Sequence, residues 1–124
     1  MASMLGLVVR FHFIITVVLI VIITALSLWP VANLPAVPGS DKTHHFIAYG
    51  ALMFPSAFCF LSTKQFKKLI AFALFFVAYS GAIELIQPYV NRYGEWLDLA
   101  ANSAGLVCGI VLAKIMLLAV KPKV

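Results

Sequence analysis

The chain has 124 residues, 64% of them hydrophobic and only 10% charged, with a formal net charge of +5; its mean hydropathy is +1.07. A soluble domain carries about 25% charged residues, so this composition excludes one and leaves room for a single membrane domain, each helical span needing about 20 residues. In so apolar a chain the positive charge is explained by membrane orientation, and no nucleic-acid partner is expected.

The first apolar run, Phe11–Trp29, follows Arg10 and opens as a signal peptide does. It is too long for a typical signal-peptide core and lacks a clean small-residue cleavage pattern. It therefore predicts a retained first helix, with Trp29 as an interfacial anchor. Pro30, Pro35, Pro38 and Gly39 make the segment Pro30–Ser40 an extended surface loop. A second span is predicted from Asp41 to Leu61, capped by Ser40 or Asp41 and kinked at Pro55, which transmembrane helices tolerate. The polar linker Ser62–Lys68 leads to a third span, Leu69–Gln87, which stops before Pro88. After the loop Pro88–Glu95, a fourth span, Trp96–Val120, is closed by Lys121 and Lys123. The predicted fold class is all-α: a polytopic membrane protein of four transmembrane helices, one domain over residues 1–124. Cys59 and Cys108 lie in apolar stretches without paired or metal-ligand spacing, and read as buried thiols with no disulfide.

The charges are sorted by end. All four acidic residues (Asp41, Glu84, Glu95, Asp98) fall at one end of the four spans, with Lys42 and Arg92. The other seven basic residues (Arg10, Lys64, Lys67, Lys68, Lys114, Lys121, Lys123) fall at the opposite end. By the positive-inside rule both termini and the lysine linker are cytoplasmic, and the proline-rich and Pro88–Glu95 loops face outward.

A helix rises about 1.5 Å per residue, so residues four apart share a face one turn deeper. Asp41, His45 and Tyr49 form such a ladder on the second helix; Ser80, Glu84 and Gln87 one on the third; and Asp98, Asn102 and Gly105 one on the fourth. Stacked together, Asp41, Lys42, Gln87, Arg92 and Asp98 make an outer layer. His45, Glu84 and Asn102 make a second layer, with Tyr49 and Ser80 beneath. Polar residues at membrane depth are costly and mark sites there. The spacing places His45, Glu84, Arg92, Asp98 and Asn102 in one outer cavity, with Arg92 folded back over it to pair with Glu84 or Asp98. Glu95 reads as a solvated first-turn charge. Gly105 and Gly109 form a GxxxG whose expected task is close helix packing.

The same residues carry a resemblance. DKTHHFIAY (Asp41–Tyr49), then IELIQ with Glu84 and Gln87, then RYGEWLDLAANSAG with Arg92, Asp98, Asn102 and Gly105, follow in an order and spacing similar to the VanZ-like family. The match spans Asp41–Gly105, about half of the chain, with His45 rather than His44 in the motif position. The resemblance implies a bacterial inner-membrane protein of a family associated with tolerance to the glycopeptide teicoplanin. It implies no established chemistry.

Three function classes fit the pattern. The first is an outer-leaflet site that binds or modifies an anionic headgroup of a membrane lipid or lipid-linked envelope precursor. Here Asp41, Lys42, Gln87, Arg92 and Asn102 are the binding candidates, with Lys42 and Arg92 holding phosphate. His45, Glu84 and Asp98 are the catalytic candidates, His45 or Glu84 exchanging protons. The second is a small proton-coupled exporter working as a homodimer, although no polar ladder reaches the cytoplasmic side and Glu84 lies shallow. The third is a non-enzymatic scaffold whose polar cluster holds the helices together. The sequence offers no covalent nucleophile motif, and His45, Glu84 and Asp98 over three helices are a weak ligand set, so no metal or cofactor is expected.

Overall fold

The computed structural model describes residues 2–30 and 40–120. Every regular element among them is helical: α1 (Ala2–Leu28), α2 (Asp41–Ser62), α3 (Phe66–Ile86), a 3-10 turn (Gln87–Val90) and α4 (Trp96–Val120). Each of the four α-helices is long and apolar enough to cross a membrane. The interior of the proline-rich loop and the closing lysines Lys121 and Lys123 lie outside the described residues.

The predicted α2 and α4 agree with the observed ones to within a residue, and the other two are longer than expected. The charged residues Arg10, Lys67 and Lys68 read as boundaries in the sequence, yet each is an exposed side chain on a continuing helix. Long basic side chains can reach water from inside a helical turn. Arg10 also lies over the Phe11 ring, 5.4 Å from its centroid. At the far end of α3, Pro88 does not stop the chain. It sits in the first turn of the 3-10 segment, where its missing N–H costs nothing. Asn91, at φ 57°, ends that turn in the left-handed region, a conformation asparagine tolerates better than most residues.

Ser40, not Asp41, is the N-cap of α2: its Oγ accepts the Thr43 N–H at 3.2 Å. α2 continues as helix through Pro55. It is also the most enclosed span, with Leu52, Met53 and every residue from Pro55 to Phe60 buried. α1 and α3 instead expose large apolar side chains such as Phe13, Val21, Leu74 and Phe75, the surface that lipid covers.

The tightest contact joins α2 to α4, two helices that run in the same direction. Gly105 lies against the Phe46 carbonyl, and a Cβ at Gly109 would meet the Gly50 carbonyl oxygen at 2.6 Å and Met53 Cβ at 3.2 Å. Small residues let the backbones approach this closely, as expected for the GxxxG of α4; Gly50 supplies the matching surface on α2. This register sets Asp41 and His45 beside Asp98 and Asn102. On α1, Leu5 and Ile23 reach the core, and His12, Thr16 and Thr24 turn inward rather than to lipid. Thr16 Oγ1 lies 3.1 Å from Ser56 Oγ, His12 Nδ1 lies 3.3 Å from the same oxygen, and Thr24 Oγ1 lies 2.6 Å from the Tyr79 hydroxyl.

Candidate functional site

At the end of the bundle where α2 and α4 begin, the ladders of α2 and α4 face one another. Asp98 is 2% exposed and uses its two oxygens differently. Oδ1 lies 3.3 Å from Lys42 Nζ, and Oδ2 lies 3.8 Å from His45 Nε2. Asp41, mostly exposed, places Oδ2 3.6 Å from the same Nε2. Lys42 also holds Glu95 Oε2 at 3.0 Å, so its ammonium bridges α2 to the start of α4.

One turn deeper, Asn102 is fully buried and donates through Nδ2 to Ser80 Oγ at 2.6 Å. That bond fixes the amide, so its Oδ1 accepts from His45 Nδ1 at 2.9 Å. The imidazole proton is thereby held on Nδ1, and Nε2 is directed at the two aspartates. The chain of contacts Ser80, Asn102, His45, Asp98 and Lys42 links α3, α4 and α2 at one level.

Glu84 is 5% exposed. Its Oε2 accepts the Glu95 backbone N–H at 3.1 Å, tying the α3 ladder to the first turn of α4. Gly94 makes this possible: the backbone there passes against the Glu84 carbonyl, where a Cβ would collide. Glu84 Oε1 has no hydrogen-bond partner, and the same holds for Gln87 Oε1. Unsatisfied buried polar groups of this kind cost about 1–3 kcal/mol each. Glu84 Oε1 is the surplus polarity of the site.

Of the residues expected in one cavity, the structure brings together His45, Asp98 and Asn102, with Asp41 and Lys42 at the mouth and Glu84 joined to them through Glu95. It takes Arg92 and Gln87 elsewhere. The Arg92 Nη1 donates to the carbonyls of Leu26 and Trp29, at 3.3 and 3.1 Å. Gln87 Nε2 donates to the Ser27 carbonyl at 3.2 Å. The end of α1 presents carbonyls without helical partners, and a cation is attracted there. Arg92 therefore caps α1 instead of folding over the carboxylates. Glu95 corrects the reading in the other direction: it is the Lys42 partner, and its N–H is the donor to Glu84. Neither role has a signature in the sequence, because both depend on the turn at Asn91–Gly94.

A second polar group missed in the sequence is His12, Thr16 and Ser56, at the other end of the bundle. The i, i+4 spacing of His12 and Thr16 on α1 was its available signal.

Cys59 is buried, Cys108 is exposed, and both are free. Compared with curated proteins and with solved structures, the chain has no significant match. A family model does match: VanZ/LLP1, over residues 2–117. That match takes in α1 and most of α4 as well as the stretch carrying the motifs. It agrees with a multi-pass helical membrane architecture in which polar residues of α2, α3 and α4 meet at one end. The chain belongs to the VanZ/LLP1 family, as a VanZ-like membrane protein of a group linked to glycopeptide resistance.

Proposed function

We propose that the protein resides in the bacterial inner membrane and uses the polar cluster at the Asp41–Trp96 end to bind, or act on, an anionic envelope-lipid or cell-wall-precursor headgroup. The positive-inside distribution turns that end outward, to the side where glycopeptides meet their targets. The observation carrying the reading is Lys42 at the mouth with Glu84 Oε1 buried and without a hydrogen-bond partner, an acceptor that a headgroup hydroxyl can fill, in the same cluster as the His45–Asn102–Ser80 network. A cluster serving only to hold helices together would satisfy its own members. In the proposed function Lys42, at the mouth, meets the headgroup, and Glu84 is the group that exchanges protons with it.

Glu84→Gln tests the reading, because glutamine keeps an oxygen for the Glu95 N–H while losing the charge. The variant is expected to insert and melt as the natural chain does, yet lose the teicoplanin tolerance expected on expression of the natural chain. It should also bind polyprenyl phosphate more weakly by native mass spectrometry in detergent. Unchanged tolerance and unchanged lipid binding would remove Glu84 from the site.

A second reading, proton-coupled transport by a dimer, draws support from the His12–Ser56–Thr16 group, which supplies buried polarity at the end opposite Glu84. Proton uptake driven by an imposed substrate gradient in proteoliposomes distinguishes it from headgroup binding.

A further inference from the structure

The geometry around His45 points to a divalent-cation site formed by Asp41, His45 and Asp98, of the kind that takes Zn2+ or Mn2+. Their donor atoms all lie within 4.8 Å of one another. His45 Nε2 stands 3.6 Å from Asp41 Oδ2 and 3.8 Å from Asp98 Oδ2. Both distances are too long for hydrogen bonds. Oxygen and nitrogen ligands about 2.0–2.2 Å from a shared ion sit roughly 3–3.6 Å apart; the two His45 pairs stand close to that spacing, and the widest donor pair, within 4.8 Å, closes by rotation of the exposed Asp41 side chain.

Four features of the surroundings favour a metal over a simple ion pair. Asp41 and His45 are four residues apart, one above the other on one helical face, a spacing that serves paired metal ligands on helices. The Nδ1–H of His45 is committed to Asn102 Oδ1 at 2.9 Å, and Asn102 is itself held by Ser80 at 2.6 Å. A ligating imidazole is oriented in this manner by a partner on its second nitrogen, which leaves Nε2 free to bind the ion. Lys42 takes only Oδ1 of Asp98 and leaves Oδ2 toward His45. Finally, Glu84 is 5% exposed, has one oxygen without a partner, and is tied through the other to the Glu95 N–H at the start of α4. The cluster thus sets Glu95 and Asp98 against the ammonium of Lys42, with Asp41 on His45 and Glu84 on the Glu95 N–H, four carboxylates to one ammonium. In a low-dielectric setting that imbalance attracts a further cation. One imidazole with two carboxylates favours Zn2+ or Mn2+ over the all-oxygen preference of Ca2+ and Mg2+.

This site does not depend on the headgroup reading, and its test uses the metal alone. Untagged full-length protein in detergent, stripped with EDTA, is titrated calorimetrically with ZnCl2 and with MnCl2, and bound metal is counted by mass spectrometry. One ion per chain is expected. His45→Gln and Asp41→Asn should each weaken binding at least tenfold, and Asn102→Leu, which leaves all three ligands in place and removes the partner of His45 Nδ1, by about 10–100-fold. His12→Ala, at the opposite end, should leave binding unchanged. Asp41 is largely exposed (67% for its side chain), so Asp41→Asn keeps the fold even where a His45 variant does not. The site is overturned by the absence of saturable binding of either ion, by equal affinity in Asp41→Asn, or by loss of binding in His12→Ala.

Discussion

Replacing Gly105 by alanine tests whether the α2–α4 contact positions the polar cluster. The added methyl collides with the Phe46 carbonyl and comes within 3.2 Å of Gly50 N. Backbone atoms cannot swing aside as a side-chain tip can, so the helices must separate by roughly 1 Å to restore ordinary contact. Overpacking of this kind costs about 1–3 kcal/mol. The His45 Nδ1–Asn102 Oδ1 bond, 2.9 Å long, then stretches past the usual limit of about 3.2 Å, at a further cost of about 1 kcal/mol. Alanine's better helix propensity returns nearly 1 kcal/mol. The expected net loss is about 1–3 kcal/mol, read as a lower melting temperature of the purified protein in detergent. Gly81→Ala and Gly6→Ala are the controls: nothing lies within 4 Å of the atom either would add, and both should melt at or slightly above the natural temperature. A Gly105→Ala chain as stable as the Gly81→Ala chain would refute the close-contact argument, and with it the account of how Asp98 meets His45.

Arg92→Lys should lower stability by about 1 kcal/mol, because a single ammonium does not reproduce the guanidinium's hold on the carbonyls of Leu26 and Trp29; thermal melting beside Arg92→Ala measures it. Asn102→Leu removes the partner of His45 Nδ1 and the amide donor to Ser80 Oγ and should cost about 1–3 kcal/mol, again visible as a fall in melting temperature. Cysteines placed singly within Ala32–Gly39, in a chain carrying Cys59→Ala and Cys108→Ala, should react with an impermeant maleimide from outside the inner membrane; reaction only from the cytoplasm would reverse the topology. Intact mass before and after reduction should be identical for the natural chain, since neither cysteine is paired.

The spans were legible because period and length speak directly in a chain of this hydropathy: α4 was read at its observed limits, and α2 within one residue. The vertical order of the ladders was legible for a similar reason. Helical rise is a constant, so His45 had to lie a turn below Asp41, and Asn102 a turn below Asp98. Helix ends marked by lysine or arginine misled, since a flexible stem separates charge from backbone. What lay beyond reach was azimuth and loop path. Whether Arg92 turns to the carboxylates or to α1 depends on a left-handed residue at Asn91 and a backbone approach at Gly94. No periodicity encodes either. The inward polar face of α1 was passed over because threonine and a lone histidine disturb hydropathy too little to interrupt an apolar run.

The closest helix pair is not the pair adjacent in sequence. α2 ends at Ser62 and α4 begins at Trp96, so every contact between them waits for α3 to be made and returned across the membrane. During synthesis the chain therefore passes through a stage with Asp41, Lys42 and His45 already inserted but without Asp98 or Asn102 beside them. In that interval these side chains can rely only on water and headgroups. Their position near one membrane surface, rather than at mid-depth, makes that wait tolerable. Assembly of the cluster is thus the last event of insertion, and a chain truncated before Asp98 would hold its first three helices without ever having had the site.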